Sequence, residues 1–323
     1  MKIGTATSTV WTVGAGLLLF TAGCDALAIR FAPEKTANPA TTPLSDQAKQ
    51  TFWSALHGGR YEQAPAAIRL LTAAYLENPR QPEISLLLAH AHLWTIAERA
   101  RNQELDPRIT DHAILAERYF SEAHRLNPED HRIPGWLGGV KLALGQIHQD
   151  ERLTREGYFM LHDAIDLFPE FNYFSAGYIM SSRPKDDDKF QEALDDMWRN
   201  LDLCAGEKLD RQNPDYRKLM AQETTSGPKR VCWNSRIAPH NFEGFFLNMG
   251  DMLVKKGEVE PARKIYAIAK LSKGYESWQY RALLEARIAQ ADERARQFKA
   301  ADPKHHPEIM FNSAYSCTAC HAQ

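Results

Sequence analysis

The chain has 323 residues, 44% of them apolar and 25% charged, which is an ordinary composition for a soluble globular protein. Its 39 basic and 41 acidic side chains give a formal charge of −2. The sequence therefore lacks the basic excess of nucleic-acid-binding proteins, and no nucleic-acid partner is expected. A chain of this length can bury one large core or form an array of repeats.

An uncharged apolar run, V-W-T-V-G-A-G-L-L-L-F-T-A-G, occupies positions 10–23. It is shorter than the ~20 residues that a membrane-spanning helix needs, and it suits the apolar core of an export signal. The run ends in T-A-G-C, which resembles the lipobox of bacterial lipoproteins, although Thr21 stands where that family usually has leucine. In the alternative interpretation, Cys24 is an ordinary residue of a signal peptide that is cleaved further on, near A-L-A.

The lipobox resemblance implies that residues 1–23 are a lipoprotein signal peptide, cut before Cys24, and that a lipid is joined to this cysteine. The protein is then exported, periplasmic and anchored to a membrane through its N-terminal lipid. Asp25 follows the cysteine and favours the inner membrane, as in some lipoproteins. Residues 24–45 hold this anchor and a Pro/Thr/Ala-rich stretch, 32–45, whose low apolar content predicts a flexible spacer.

From about Asp46, apolar residues recur at intervals of three and four, which predicts helices. Three segments repeat one spacing of small, apolar and proline residues. Its members are Ala116, Phe120, Ala123 and Pro128, then Gly157, Leu161, Ala164 and Pro169, then Gly250, Gly257, Ala262, Tyr266 and Ala269. These offsets, with the turn-like run Gly59–Ala64, resemble the tetratricopeptide repeat, in which small residues let paired helices approach closely.

The repeat resemblance implies an all-α fold, a solenoid of helical hairpins over residues 46–300. Insertions are expected between Trp94 and Asp111 and from Arg183 to Arg236. A non-repetitive helical bundle is the alternative. A solenoid normally presents a concave surface to another protein, while the polar stretches 183–189 and 223–230 are either a partner contact or solvated loops.

The end of the chain contains the motif C-x-x-C-H, formed by Cys317, Cys320 and His321. It resembles the haem attachment site of c-type cytochromes. The resemblance implies that residues 301–323 attach haem c, with thioethers from both cysteines to the vinyl groups and His321 as an axial iron ligand. The alternatives are a thioredoxin-like pair, a terminal disulfide, and a zinc site that takes a fourth ligand from His305–Glu308.

Any second axial ligand must come from upstream, because almost nothing follows the motif. The nearest candidates are Met310 and the pair His305 and His306, and the more distant ones are Met249, Met252 and His240. The motif's position is similar to that in cytochromes c-prime, helical bundles that often leave the sixth position empty. Phe311 and Tyr315 are candidates to pack on the porphyrin. The sequence leaves open whether the solenoid buries the haem or a loose tail holds it.

With Cys24 lipidated and the motif cysteines bound to haem, two of the five cysteines remain, Cys204 and Cys232. In an oxidising periplasm they are expected to form a disulfide, which stabilises the fold by roughly 3.5 kcal/mol in the chain-entropy model. Two independent buried cysteines are the alternative.

These features together predict a lipid-anchored helical scaffold that carries one haem c and transfers electrons with a docked protein redox partner or periplasmic complex. None of the catalytic motifs G-x-S-x-G, H-E-x-x-H or the phosphate-binding loop occurs, so the sequence favours a carrier or binding protein over an enzyme. The alternatives are a five-coordinate haem protein that binds a gas, and a haem-free lipoprotein scaffold for interactions.

Overall fold

A computed structural model of the chain describes residues 25–104, 106–220, 226–232, 242–309 and 316–322. It contains two units, Met1–Thr36 and Ala37–Gln323. In the first unit, residues 25–30 are helical. All regular elements in the described ranges are helices, which confirms the predicted all-α class. None of these described helices is both long and apolar enough to cross a bilayer.

The second unit contains helices of 4 to 18 residues. In chain order they are α1 Pro43–His57, α2 Ala64–Glu77, α3 Pro82–Ala97, α4 Asp111–Leu126, α5 Ile133–His148, α6 Glu151–Leu167, α7 Pro169–Met180, α8 Asp188–Ala205, α9 Arg217–Met220, α10 Phe242–Lys256, α11 Val259–Ala269, α12 Arg281–Ala289, α13 Ala291–Gln297 and α14 Cys317–His321.

Most of the longer helices pack in consecutive pairs, each helix against the next one along the chain. The pairs are α1 with α2, α3 with α4, α5 with α6, α7 with α8, and α10 with α11. The predicted solenoid of helical hairpins is therefore confirmed. Short connections between paired helices, such as the turn at Gly59 with its positive φ of 63°, keep each helix next to its successor.

Most of the recurring positions of the sequence repeat lie on the second helices of three pairs and face the core, whereas Gly250 lies on the first helix α10 and Pro169 begins α7. Ala116, Phe120 and Ala123 of α4 are fully buried, as are Ala262 and Tyr266 of α11. On α6, a Cβ added to Gly157 would stand 2.6 Å from the carbonyl oxygen of Gly138 on α5. The small residues thus allow the close approach of paired helices on which the repeat prediction depended.

Helix α1 begins at Pro43, inside the stretch predicted to be a spacer. Thr42 and Ser45 form a reciprocal capping box at its start, with Pro43 as the first helical residue. Just before it, the backbone N–H of Asn38 donates to the carbonyl of Arg80 at 2.7 Å. The capping box and the hydrogen bond to Arg80, which lies just before α3, order residues that composition alone predicts to be irregular.

The predicted insertion from Arg183 to Arg236 is wrong in its first part, because residues 188–205 form α8. Its apolar residues recur on one helical face, with Phe190, Ala193 and Met197 fully buried, so α8 completes the hairpin that α7 begins. Cys204, near its end, forms a disulfide with Cys232, as predicted. After α8, the described residues of this region, 206–220 and 226–232, contain the four-residue helix α9 and a short 3-10 turn at Pro228–Val231.

Candidate functional site

The C-x-x-C-H motif forms α14, and this helix is packed inside the second unit. Thr318 and Ala319 are fully buried and Cys320 is 4% exposed. The helix contacts α1 at one end of the array of hairpins and α10 at the other. Cys317 packs against the hydrophobic cluster of α1–α3, whereas Cys320 belongs to the cluster that includes α10 and α11. The motif therefore joins the two largest parts of the core.

Buried polar groups from distant parts of the chain hold the start of α14. The carboxylate of Glu98, which follows α3, accepts hydrogen bonds from the backbone N–H of Thr318 at 2.7 Å and from its Oγ1 at 3.0 Å. The hydroxyl of Tyr178 on α7 accepts from the backbone N–H of Ser316 at 2.8 Å. These acceptors satisfy N–H groups that a helix N-terminus leaves without partners inside the helix.

Aromatic side chains that precede α12 hold α14 as well. The indole Nε1 of Trp278 donates to the carbonyl oxygen of Ala319 at 3.1 Å, and the hydroxyls of Tyr280 and Thr318 are 2.8 Å apart. Trp278 is 4% exposed, so its hydrogen bond is shielded from water. The hydrogen bonds made by the side chains of Glu98, Tyr178, Trp278 and Tyr280 fix both the depth and the rotation of the motif helix.

A glycine of α10 makes room for the motif. A Cβ added to Gly244 would lie 2.5 Å from Sγ of Cys320 and 2.6 Å from the carbonyl oxygen of Ala319. No real Cβ contact is that short, so only glycine allows α10 to approach α14 this closely. The sequence analysis did not identify Gly244, because its role depends on a segment more than seventy positions further along the chain.

The exposed side of the motif faces a cavity of about 300 Å³ that the first helices of the first four hairpins enclose. Cys317, Cys320 and His321 all line it. The other lining side chains, from α1, α3, α5 and α7, are mainly apolar and aromatic; among them are Trp53, Trp94, Trp136 and Phe174. This size and chemistry are typical of small-molecule and cofactor pockets, which measure roughly 300–1,000 Å³.

The residues of this cavity fit a haem c. Two thiols and an imidazole at the C-x-x-C-H spacing line one pocket, which is the donor set that covalent attachment and axial ligation require. The flat macrocycle needs apolar and aromatic surfaces beside it, and the four first helices supply them. Gly139 lets the side chain of Ile179 on α7 pack directly against α5, since a Cβ there would meet Cδ1 of Ile179 at 2.4 Å. Arg132, also in the lining, is already paired: its guanidinium donates to both carboxylate oxygens of Asp130, at 2.8 and 2.7 Å.

The thiols are poorly suited to the thiol–disulfide exchange of the thioredoxin-like alternative. Burial, aided by the carboxylates of Glu243 and Glu98, raises the pKa of Cys320 to about 12. Desolvation and Glu98 also raise the pKa of Cys317 well above its usual range. Exchange needs a thiolate, whereas both of these groups are neutral thiols at pH 7. The strand expected beside such a pair is also absent from the described residues.

The candidates for a second axial ligand are not at the cavity wherever the structure describes them. His306 places Nε2 2.9 Å from the carbonyl oxygen of Ala300, and Nδ1 of His305 lies 3.6 Å from Asp302; neither lines the cavity. Met249 and Met252 of α10 are fully buried in the hydrophobic core. The remaining predicted positions, Cys24, His240, Met310, Phe311 and Tyr315, lie outside the described residues.

The zinc alternative gains no support from the described ranges. No group of three or more histidine, cysteine, aspartate or glutamate side chains there is arranged to hold a metal ion. The fourth ligand was expected from the run His305–Glu308, in which His305 and His306 are engaged with Asp302 and Ala300 as described above. A structural zinc site needs four protein ligands in a tetrahedral arrangement.

Comparison of the chain with protein-family models, with curated proteins and with solved structures finds no match in any of the three. The residues of the cavity itself are therefore the basis for any functional conclusion. Sequence reasoning missed Glu98 and Trp278, which hold the motif helix. From the sequence, His90 was set aside, because His90 and His92 are two positions apart on a helix and face different directions, which makes them a poor joint site. Nothing in the sequence indicates which face of that helix meets the motif.

Proposed function

We propose that this protein is an exported, lipid-anchored monohaem c-type cytochrome in which a solenoid of helical hairpins surrounds the haem. It transfers electrons to or from a docked protein partner. A single observation carries the proposal: Cys317, Cys320 and His321 line one apolar cavity in the middle of the second unit. A lipoprotein scaffold without a cofactor would have no need to enclose an apolar pocket around these three side chains.

The chain's own residues would perform distinct tasks at the haem. Cys317 and Cys320 would form the thioethers and His321 would provide an axial nitrogen, while a bound haem supplies the reversible one-electron chemistry of its iron. Glu98, Tyr178 and Trp278 fix the peptide that bears these groups. The apolar walls would exclude water from a bound haem and thereby tune its reduction potential.

Electron transfer also needs an approach for a partner. His321 and Cys317 are only half-buried, and the cavity has an exposed acidic rim residue, Glu83, whose side chain is 54% exposed. A partner that docks on this rim would come close to the attachment site without rearranging the core. Such contacts are commonly small and transient in redox pairs.

The test is covalent haem attachment in the full chain, produced in a periplasm that matures c-type cytochromes. Haem staining on a denaturing gel should detect the wild-type band and lose it in the double variant Cys317→Ala, Cys320→Ala. The matched control is Cys204→Ala with Cys232→Ala, which also removes two cysteines but leaves the cavity lining intact. It should keep the stain. A wild-type chain that matures without covalent haem would leave only the scaffold interpretation.

A further inference from the structure

One face of α3 lines the cavity for the whole length of the helix. The lining positions recur at intervals of three and four from Glu83 to Ala97, and they include Leu86, Leu87, Leu93 and Trp94. His90 stands at the centre of this stripe, seven residues from either end. It is the one imidazole in an otherwise mainly apolar helical face.

The imidazole of His90 is held by two aromatic rings. Its ring lies edge-on to Trp136 with centroids 4.4 Å apart and edge-on to Phe120 at 5.0 Å. Such contacts restrict side-chain rotation. A side chain that is already oriented loses less entropy when it binds a ligand, which favours tight coordination.

Among the described residues that line the cavity, His90 and His321 are the two imidazoles, and no methionine is present. The hydroxyl of Tyr178, another lining residue, accepts a hydrogen bond from the backbone N–H of Ser316 and so holds the motif helix in place. His92, two positions along α3, points elsewhere: its Nδ1 is 2.9 Å from Nδ1 of His112. His90 is thus the lining side chain with the right chemistry for iron.

We propose that His90 is the second axial ligand of the haem iron, which makes the iron six-coordinate with two histidines. This inference rests on the proposed function. It replaces His305, His306 and Met310 as the ligand expected from nearness in sequence. With both axial positions filled, the site favours electron transfer over gas binding, and a histidine pair places the reduction potential below that of a methionine–histidine pair.

The test uses the haem-loaded full chain and reads the spin state by electron paramagnetic resonance and absorption. The wild type should be low-spin with two nitrogen ligands. In His90→Ala the iron should become high-spin and the reduced form should bind carbon monoxide, while added imidazole restores the low-spin signal. The matched control, His92→Ala, removes an imidazole of the same helix that does not line the cavity, and it should keep the wild-type spectrum.

A second variant tests the proposal in case His90→Ala does not fold. In His90→Met the iron should remain low-spin, gain the charge-transfer band of methionine ligation and shift its potential upward. A His90→Ala protein that keeps the wild-type low-spin signal overturns the proposal, as does a wild type that is already high-spin. Loss of low-spin character in Met310→Ala instead would assign the ligand to that methionine. In all of these outcomes haem staining persists, so they differ from failure of the proposed function, in which no covalent haem forms.

Discussion

Glu98 and Thr318 are 220 positions apart, and the Glu98 carboxylate accepts hydrogen bonds from both the backbone N–H and the side-chain hydroxyl of Thr318. Glu98 is fully buried and its other oxygen lies 3.4 Å from Arg101. The residue that caps the end of α3 therefore also caps the start of the motif helix. This contact couples the helix that presents His90 to the helix that presents His321.

Removal of the Glu98 carboxylate should loosen the motif. Glu98→Ala leaves a buried N–H of Thr318 without an acceptor, which costs about 1–3 kcal/mol, and should lower the yield of covalent haem. Glu98→Gln keeps an oxygen acceptor in the same place and should retain most of the stability and most of the haem yield. Urea unfolding and haem staining measure the two effects. Equal behaviour of the two variants would argue against the capping role.

The close approach of α10 and α14 should make Gly244 intolerant of any side chain. In Gly244→Ala the new Cβ would overlap Cys320 and Ala319, which should cost about 1–3 kcal/mol and displace the motif. The control is Gly250→Ala on the same helix, whose Cβ would meet the Tyr266 ring at 2.3 Å instead. Both variants should unfold at lower urea concentration, but only Gly244→Ala should reduce haem attachment. Normal attachment in Gly244→Ala would show that the motif can shift freely.

Asp196 should give the protein a pH-dependent stability. This aspartate of α8 is 2% exposed, and burial raises its pKa to about 7. Because the folded state then holds a proton that the unfolded state releases near pH 4, the free energy of unfolding should fall as pH rises between about 4 and 7.

Comparison of two variants isolates the effect of Asp196 on the pH dependence of the unfolding free energy. One pKa unit corresponds to about 1.4 kcal/mol, so Asp196→Asn should abolish a decline of about 2–4 kcal/mol in unfolding free energy between pH 4.5 and pH 8. Asp195→Asn, at the neighbouring exposed position, should leave the decline in place. Urea titrations at several pH values provide the measurement, and parallel curves for wild type and Asp196→Asn would exclude the shift.

The proposed lipidation at Cys24 predicts how the protein divides between membrane and soluble fractions. In Cys24→Ser the acceptor thiol is absent, so no lipid is attached and the exported chain should move from the membrane fraction to the soluble fraction. The variant should still stain for haem, because the cavity is unchanged. Fractionation followed by haem staining measures both properties at once. Membrane association that survives the substitution would point to another anchor.

Local patterns were enough to predict the helices and their pairing. The three-and-four spacing of apolar residues and the small residues Ala116, Gly157 and Ala262 depend on contacts within one helix or between neighbours. The disulfide between Cys204 and Cys232 was likewise predictable from the cysteine count. The polar run R-P-K-D-D-D-K at 183–189, in contrast, concealed α8, although half of the eighteen residues of this helix are apolar.

The sequence by itself determined the chemistry of this protein: the cysteines and histidine of the motif, and the helical scaffold that carries them. Only the tertiary structure decided where the motif lies and what surrounds it. Glu98, Gly244 and His90 are separated from the motif by long stretches of chain, and no local spacing encodes such contacts. They arise because α14 packs against both α1 and α10, so that the first helices and the C-terminal segment bury a common apolar surface.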